Sequence, residues 1–300
     1  MTDMDNTQRY WRGGEDPWHG VHAGRKHLEE ILTKDPPTDK MIRLLLVAAE
    51  PMFDGPGHAP LEVERVAKLV GREIEARARW ERFSRETLYS YRTIITVVRA
   101  RALHCAGKSR EAFDLARSVH AMVESAAGGR AALLRQLSSR VPNVYAEWIS
   151  RVLGIMAASL RRSTGLSVAT RRYWRLEIRT LAMALLPGLD AERAVIYPGS
   201  ESLVQVLLML TEMGLAEDGE LIAALAAFDE RTRPKDHRGQ STIALREVAL
   251  AKYRGDVGRA VEQSDLALRN LIDGHFERHL DVIDEQDFLQ HEDEEPDDAD

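Results

Sequence analysis

The sequence predicts an all-α fold built of antiparallel helical hairpins stacked side by side, and three observations lead to it. Ala, Leu, Arg and Glu dominate the 300 residues while aromatic residues make up only 6%, and no long run alternates polar with apolar residues as a half-buried strand would. Apolar residues instead recur at spacings of three and four, so each segment offers one stripe to a core. Turn signals then divide the chain at short intervals, most clearly in residues 244–271, ALREVALAKYRGDVGRAVEQSDLALRNL. There Gly255 can take the left-handed conformation that ends one helix, and Asp256 can cap the amides of the next. Ala260 and Ala267 lie seven residues apart, on one face of the second helix, where small side chains let a partner helix approach. With 44% hydrophobic residues the chain can furnish a sizeable core.

Taken in order, residues 1–24 carry Gly13, Gly14, Pro17, Gly20 and Gly24 without helical period and read as a flexible segment. Residues 25–60 read as an initial helical hairpin and loop. Its helices, 22–34 and 39–50, are separated by Pro36 and Pro37, and the stretch 51–60, PMFDGPGHAP, is expected to be a loop. Residues 61–280 form the main helical body. It opens with the stripes Val63, Val66, Ala67, Val70, Ile74 and Ile94, Ile95, Val98, Ala102, Leu103, and passes Gly107 into a helix with Ala112, Leu115, Ala116, Val119 and Val123 inside. Gly128 and Gly129 close that helix, a further one stops at Pro142, and Val144, Trp148, Val152, Ile155 and Leu160 mark a buried helix ending at Arg161 and Arg162. A helix over 175–186 is expected to stop at Pro187 and Gly188. Helices over 203–213 and 215–228 and a polar link over 231–240 lead to the hairpin at Gly255. Residues 281–300 read as an acidic disordered tail.

The pattern at Gly255 resembles a tetratricopeptide repeat, in which a Gly-Asp or Gly-Asn turn is followed five residues later by Ala and after seven more by Ala-Leu. Gly255, Asp256, Ala260, Ala267 and Leu268 match it. The same ruler finds Gly107 with Ala112, and Gly214 with Gly219, Ala226 and Ala227. The resemblance implies a tetratricopeptide-like α-solenoid of bacterial regulatory type, with a protein or peptide partner in its groove.

Charge sharpens that expectation. The net charge is −7, yet residues 281–300 hold eleven Asp or Glu and no Lys or Arg, and setting those aside leaves the rest at +4. Residues 130–180 hold ten Arg against Glu147 and Glu177. The densest basic and aromatic cluster is Arg161, Arg162, Arg171, Arg172, Trp174 and Arg175 beside Tyr173, suited to an acidic peptide or another polyanion. An equally open reading buries Tyr173 and Trp174 beneath an ordinary solvated surface. The tail is a candidate to fold back on this region and compete with a ligand; the plainer alternative gives it a role in solubility only.

A second function is open. Residues 83–92, FSRETLYSYR, resemble the turn and recognition helix of a helix-turn-helix, with Ala78, Phe83, Leu88 and Tyr91 at its small or apolar positions. The resemblance implies a bacterial transcriptional regulator reading DNA through Arg85, Tyr89 and Arg92. Arg77 and Glu81 depart from it, standing where the motif buries apolar residues, and Arg82 replaces the usual turn glycine. On the alternative reading Ser84 caps a helix whose Arg residues are its solvated face.

No P-loop, GxGxxG, HExxH, GxSxG or CxxC occurs, so no enzyme and no cofactor is expected. His19, His22 and His27 lack a Cys or carboxylate at a recognised spacing, and His275, His279 and Asp281 fit a solvated face, so no metal is expected. The single Cys105 and the absence of an apolar run of ~20 residues predict a cytoplasmic protein without a membrane partner. Self-association into a homo-oligomer through an uncapped end of the solenoid stays open.

Overall fold

A computed structural model describes residues 19–54, 58–139, 143–163, 165–189, 202–203, 205–207, 209–210, 222–223 and 237–273. Every regular element among them is a helix: α1 (His19–Lys34), α2 (Thr38–Asp54), α3 (Pro60–Arg77), α4 (Arg85–Cys105), α5 (Ser109–Ala127), α6 (Arg130–Leu137), α7 (Val144–Arg162), α8 (Val168–Leu189), α9 (His237–Arg254) and α10 (Val257–Asp273). The all-α expectation holds for them. Trp11, Trp18, Gly214 and the acidic tail lie outside the described residues.

Two apolar cores share α4 as a wall. Ile95, Val98 and Ala102 join residues of α1, α2 and α3, among them Leu28, Leu45, Phe53, Val66 and Ile74. Val97, Ala100 and Leu103 point into the second core, which gathers α5 to α9, Leu203, Val206, Leu207, Met209 and Leu210, and Ala267 of α10. A helix apolar on two sides is buried between layers, and α4 has that pattern. Packing follows the chain, α1 on α2, α2 on α3 and so on through α5. The short α6 is then bypassed, so that α5 lies directly on α7.

Five boundaries differ from expectation. α2 continues through Pro51 to Asp54 rather than ending at residue 50. A proline within a helix lacks the amide that would bond four residues back, but Met52 and Phe53 are fully buried in the first core, and the extra turn is held by that burial. The connection closes when Ala59 N–H donates to Met52 O at 3.1 Å, and Pro60 opens α3. α8 likewise begins at Val168 and runs past Pro187 and Gly188 to Leu189, and α9 begins at His237, inside the expected polar link. α1 starts at His19, ahead of the expected edge of the folded body.

The Gly255 hairpin forms as its residues dictate. Gly255 adopts φ +71, Asp256 N–H donates back to Ala251 O at 2.9 Å, and Asp256 Oδ1 accepts from Arg259 N–H at 3.0 Å. Ala260 and Ala267 are both completely buried where α10 meets α9 and the second core. Gly107 repeats the device at φ +72, with Lys108 N–H donating to Leu103 O at 2.9 Å and Ala112 completely buried five residues on.

Candidate partner-binding face on the eighth helix

α8 is anchored at its start and along one side, which fixes what it shows to solvent. Ser167 Oγ accepts from Thr170 N–H at 3.1 Å, an N-terminal cap. Arg171 reaches back to donate to Ser163 O, whose own hydroxyl bonds Ser159 O at 2.6 Å. The end of α7 and the start of α8 are thereby tied. Arg161 donates to Gln205 Oε1 at 3.4 Å, toward the helical residues near 205.

Trp174 is the central anchor. Its ring meets Phe113 edge to face at 5.7 Å and His120 at 5.8 Å, and the Arg117 guanidinium lies 6.0 Å from its centre. One turn on, Glu177 is 6% exposed and accepts bonds from Arg130 of α6 at 2.8 and 3.1 Å. His120 of α5 is also buried. Its Nε2 has no hydrogen-bond partner and lies 3.7 Å from Glu124 and 3.8 Å from Glu177. Burial holds the His120 pKa below the ordinary imidazole value, and Arg130 adds to that, while the two carboxylates pull the other way. The Glu177 carboxylate holds the Arg130 guanidinium above its usual range. The cluster therefore rests as a neutral imidazole beside an Arg–carboxylate pair.

The opposite side of α8 is open. Val168 is 84% exposed, Tyr173 57% and Leu176 48%, with the exposed Arg172 among them. Residues 168, 172 and 176 recur every fourth position and so form one strip, with Tyr173 beside it. This is a mixed cationic and apolar face, able to take carboxylates and a hydrophobic anchor together. No family model matches the chain, and no curated protein or solved structure matches it either.

The sequence-predicted cluster is thus divided by the fold. Arg162, Arg172 and Tyr173 are exposed, Arg161, Arg171 and Arg175 are half-buried, and Trp174 is turned inward as part of the core packing. Of the two aromatic residues that the solvated-surface reading buries, Trp174 lies inward and Tyr173 faces out. Residue type alone missed the His120, Glu124, Arg130 and Glu177 cluster. One signal was present: His120 stands thirteen residues after Gly107, the place Leu268 holds after Gly255.

The helix-turn-helix residues are placed differently. Arg82 adopts φ +52, the conformation for which that motif uses glycine, and Ser84 caps α4 by accepting from Thr87 N–H at 3.0 Å. Arg77 is buried, donating to Glu73 at 2.8 Å, to Pro36 O at 2.9 Å and to Asp35, while Glu81 accepts from Thr38 at 2.8 Å. Phe83, Leu88 and Tyr91 pack against the first core. Tyr91 donates to Asp39, and its phenol is pushed up to about 12, first by burial and then by that bond. Arg85 is exposed. Tyr89 instead packs against Trp148 at 5.3 Å, and Arg92 grips Glu75 with two bonds at 2.6 and 2.7 Å. Among the described residues, no group of three or more His, Cys, Asp or Glu is arranged to hold a metal ion, and no helix is long and apolar enough to cross a membrane.

Proposed function

We propose that this chain is a non-enzymatic, tetratricopeptide-like regulatory scaffold of the cytoplasm that binds an acidic protein or peptide segment. Its helices stack as hairpins of an α-solenoid, and the outward face of α8 takes the partner. The observation that carries the reading is the juxtaposition of Arg172 with exposed Val168, Tyr173 and Leu176 on a helix whose other side is locked into the core by Trp174 and Glu177. Such a face is rigid before binding, so little ordering entropy opposes association. The recurrence of the left-handed glycine and the buried alanine five residues on, at Gly107 and Gly255, supports the repeat architecture.

The test is fluorescence anisotropy of a labelled peptide holding Asp, Glu, Phe and Leu, titrated with the whole protein at ~150 mM salt. Saturable binding is expected, weakened about tenfold (~1.4 kcal/mol) by Arg172→Glu and similarly by Leu176→Asp. Replacing the peptide's acids with amides is expected to weaken it as much. Absence of binding, or equal binding by both variants, refutes the reading.

A DNA-binding regulator is the second reading, favoured by the exposed Arg85 following the left-handed turn at Arg82. Against it stand the pairing of Arg92 with Glu75 and the packing of Tyr89 on Trp148. Sequence-selective duplex binding that survives ~150 mM salt and falls with Arg85→Ala would place it first.

A further inference from the structure

We infer that residues 281–289 of the same chain are a built-in ligand for the outward face of α8, occupying it in competition with the partner. The inference rests on the reading of that face as an acidic-peptide site. The face asks for two things at once, carboxylates for Arg172 and an apolar anchor for Val168, Tyr173 and Leu176. Residues 281–289, DVIDEQDFL, offer both: Asp281, Asp284, Glu285 and Asp287 alternate with Val282, Ile283, Phe288 and Leu289. The eleven residues that follow add seven further acids and no Lys or Arg, whereas residues 130–180 hold ten Arg against two Glu. Opposite net charge favours the encounter between the segment and this Arg-rich stretch, and the apolar residues select the strip.

The tether is long relative to the size of the chain. Phe288 lies fifteen positions beyond the end of α10 at Asp273, and an extended chain of that length spans up to roughly 50 Å. A compact chain of this size has a radius of gyration of only about 19 Å. A tether that short holds its ligand at an effective concentration of ~1 mM. For a free peptide binding with a dissociation constant of ~0.1 mM, a cis segment at that concentration suppresses binding in trans by about tenfold.

The experiment uses a fluorescein-labelled peptide with the sequence of residues 281–300 as probe. It is titrated with the full wild-type chain and with the full chain carrying F288S and L289S, which retains every carboxylate. The double variant is expected to bind the probe about tenfold more tightly than wild type, and Arg172→Glu in the variant background to remove that gain. Equal binding to the two chains overturns the inference while leaving the face as a peptide site. Binding to neither overturns both. A probe that carries the two serines and binds as well as the native one reduces the effect to charge alone and overturns the inference. A wild-type suppression that grows with protein concentration assigns the segment to a second copy of the chain and overturns it as well.

Discussion

Arg130→Met isolates the buried cluster behind α8. The substitution keeps an unbranched side chain but removes the three bonds, at 2.8, 3.1 and 3.2 Å, by which Arg130 holds the Glu177 carboxylate. Glu177 is then left 6% exposed with His120 Nε2 at 3.8 Å as its nearest named neighbour. Removing one partner of a buried pair costs about 3–5 kcal/mol. The Arg130 side chain is itself 49% exposed, so water can reach the site and the lower end applies. A loss of about 3 kcal/mol at pH 8 is expected, read from urea unfolding followed by circular dichroism, and a fall of roughly 6 °C in Tm. The loss has a pH signature. Arg130 is one of the influences that depress the His120 pKa, so in the variant the imidazole protonates more readily and supplies the charge that Arg130 no longer provides. The gap to wild type should therefore narrow as pH falls from 8 through ~6.5. Replacing both residues, R130M with E177M, should return stability to within about 1 kcal/mol of wild type, because no buried charge remains without its partner. A single variant within about 0.5 kcal/mol of wild type, or a gap that is the same at pH 8 and pH 5.5, would refute this reasoning.

Three further outcomes follow from separate contacts. His120→Leu should flatten the acid limb of the stability curve. The folded pKa of His120 lies below its unfolded value of ~6.5, so wild type has its full stability above that pH and loses it as pH falls through the folded pKa; urea midpoints at pH 8 and pH 5 that change equally in both proteins would contradict it. Gly154→Ala would set a methyl 2.8 Å from Ser202 Cα and 2.9 Å from its hydroxyl, and because backbone stands in the way a cost of about 1–3 kcal/mol is expected. An unchanged thermal midpoint would show that α7 does not bear on residue 202. Ser84→Ala removes the acceptor for Thr87 N–H and should cost about 1 kcal/mol while Ser84→Gly costs only a few tenths; equal losses would mean that the hydroxyl does not cap α4.

The turns and inward stripes were legible in the sequence because their causes are local. Gly107, Gly128 and Gly255 all take positive φ, and Ala112, Ala116, Val119 and Val123 are all completely buried. What escaped depended on partners distant in sequence. Pro51 reads as a stop, but Phe53 two residues later finds the first core, with the Arg101 guanidinium 5.1 Å from its ring centre, and the helix runs on. Arg77 stands in the sequence as a charge where a helix-turn-helix would bury an apolar residue, yet the Pro36 carbonyl and Asp35, about forty residues away, draw it inside. Within the candidate site, the excess of Arg was visible, whereas its division was not. Phe113 and His120 on α5, far away in sequence, meet Trp174 where it turns in while Tyr173 turns out.

That division is also how the buried cluster bears on the exposed face. Leu268, thirteen residues after Gly255, is a partly buried apolar contact of the core. His120, at the same distance from Gly107, puts a polar ring in such a position. A buried imidazole needs polar or charged neighbours, and these come from Glu124 on its own helix, Glu177 of α8 and Arg130 of α6, the last two contributed by different elements. Keeping Glu177, with its partner Arg130, beside that ring constrains how α8 is rotated about its axis. Trp174, Glu177, Ile178, Leu181 and Leu185 all lie on the side held against the core or the cluster, and at 3.6 residues per turn positions 168, 172 and 176 then lie on the far side. An apolar residue in place of His120 would leave that rotation to packing alone, so His120→Leu should loosen the presentation of Arg172 and Leu176 even where it does not reduce stability at neutral pH. Faster amide hydrogen exchange along residues 168–176 in that variant, with exchange in α3 unchanged, is the expected result. Identical exchange in both proteins would separate the cluster from the face and leave Trp174, Ile178, Leu181 and Leu185 to set α8 by packing.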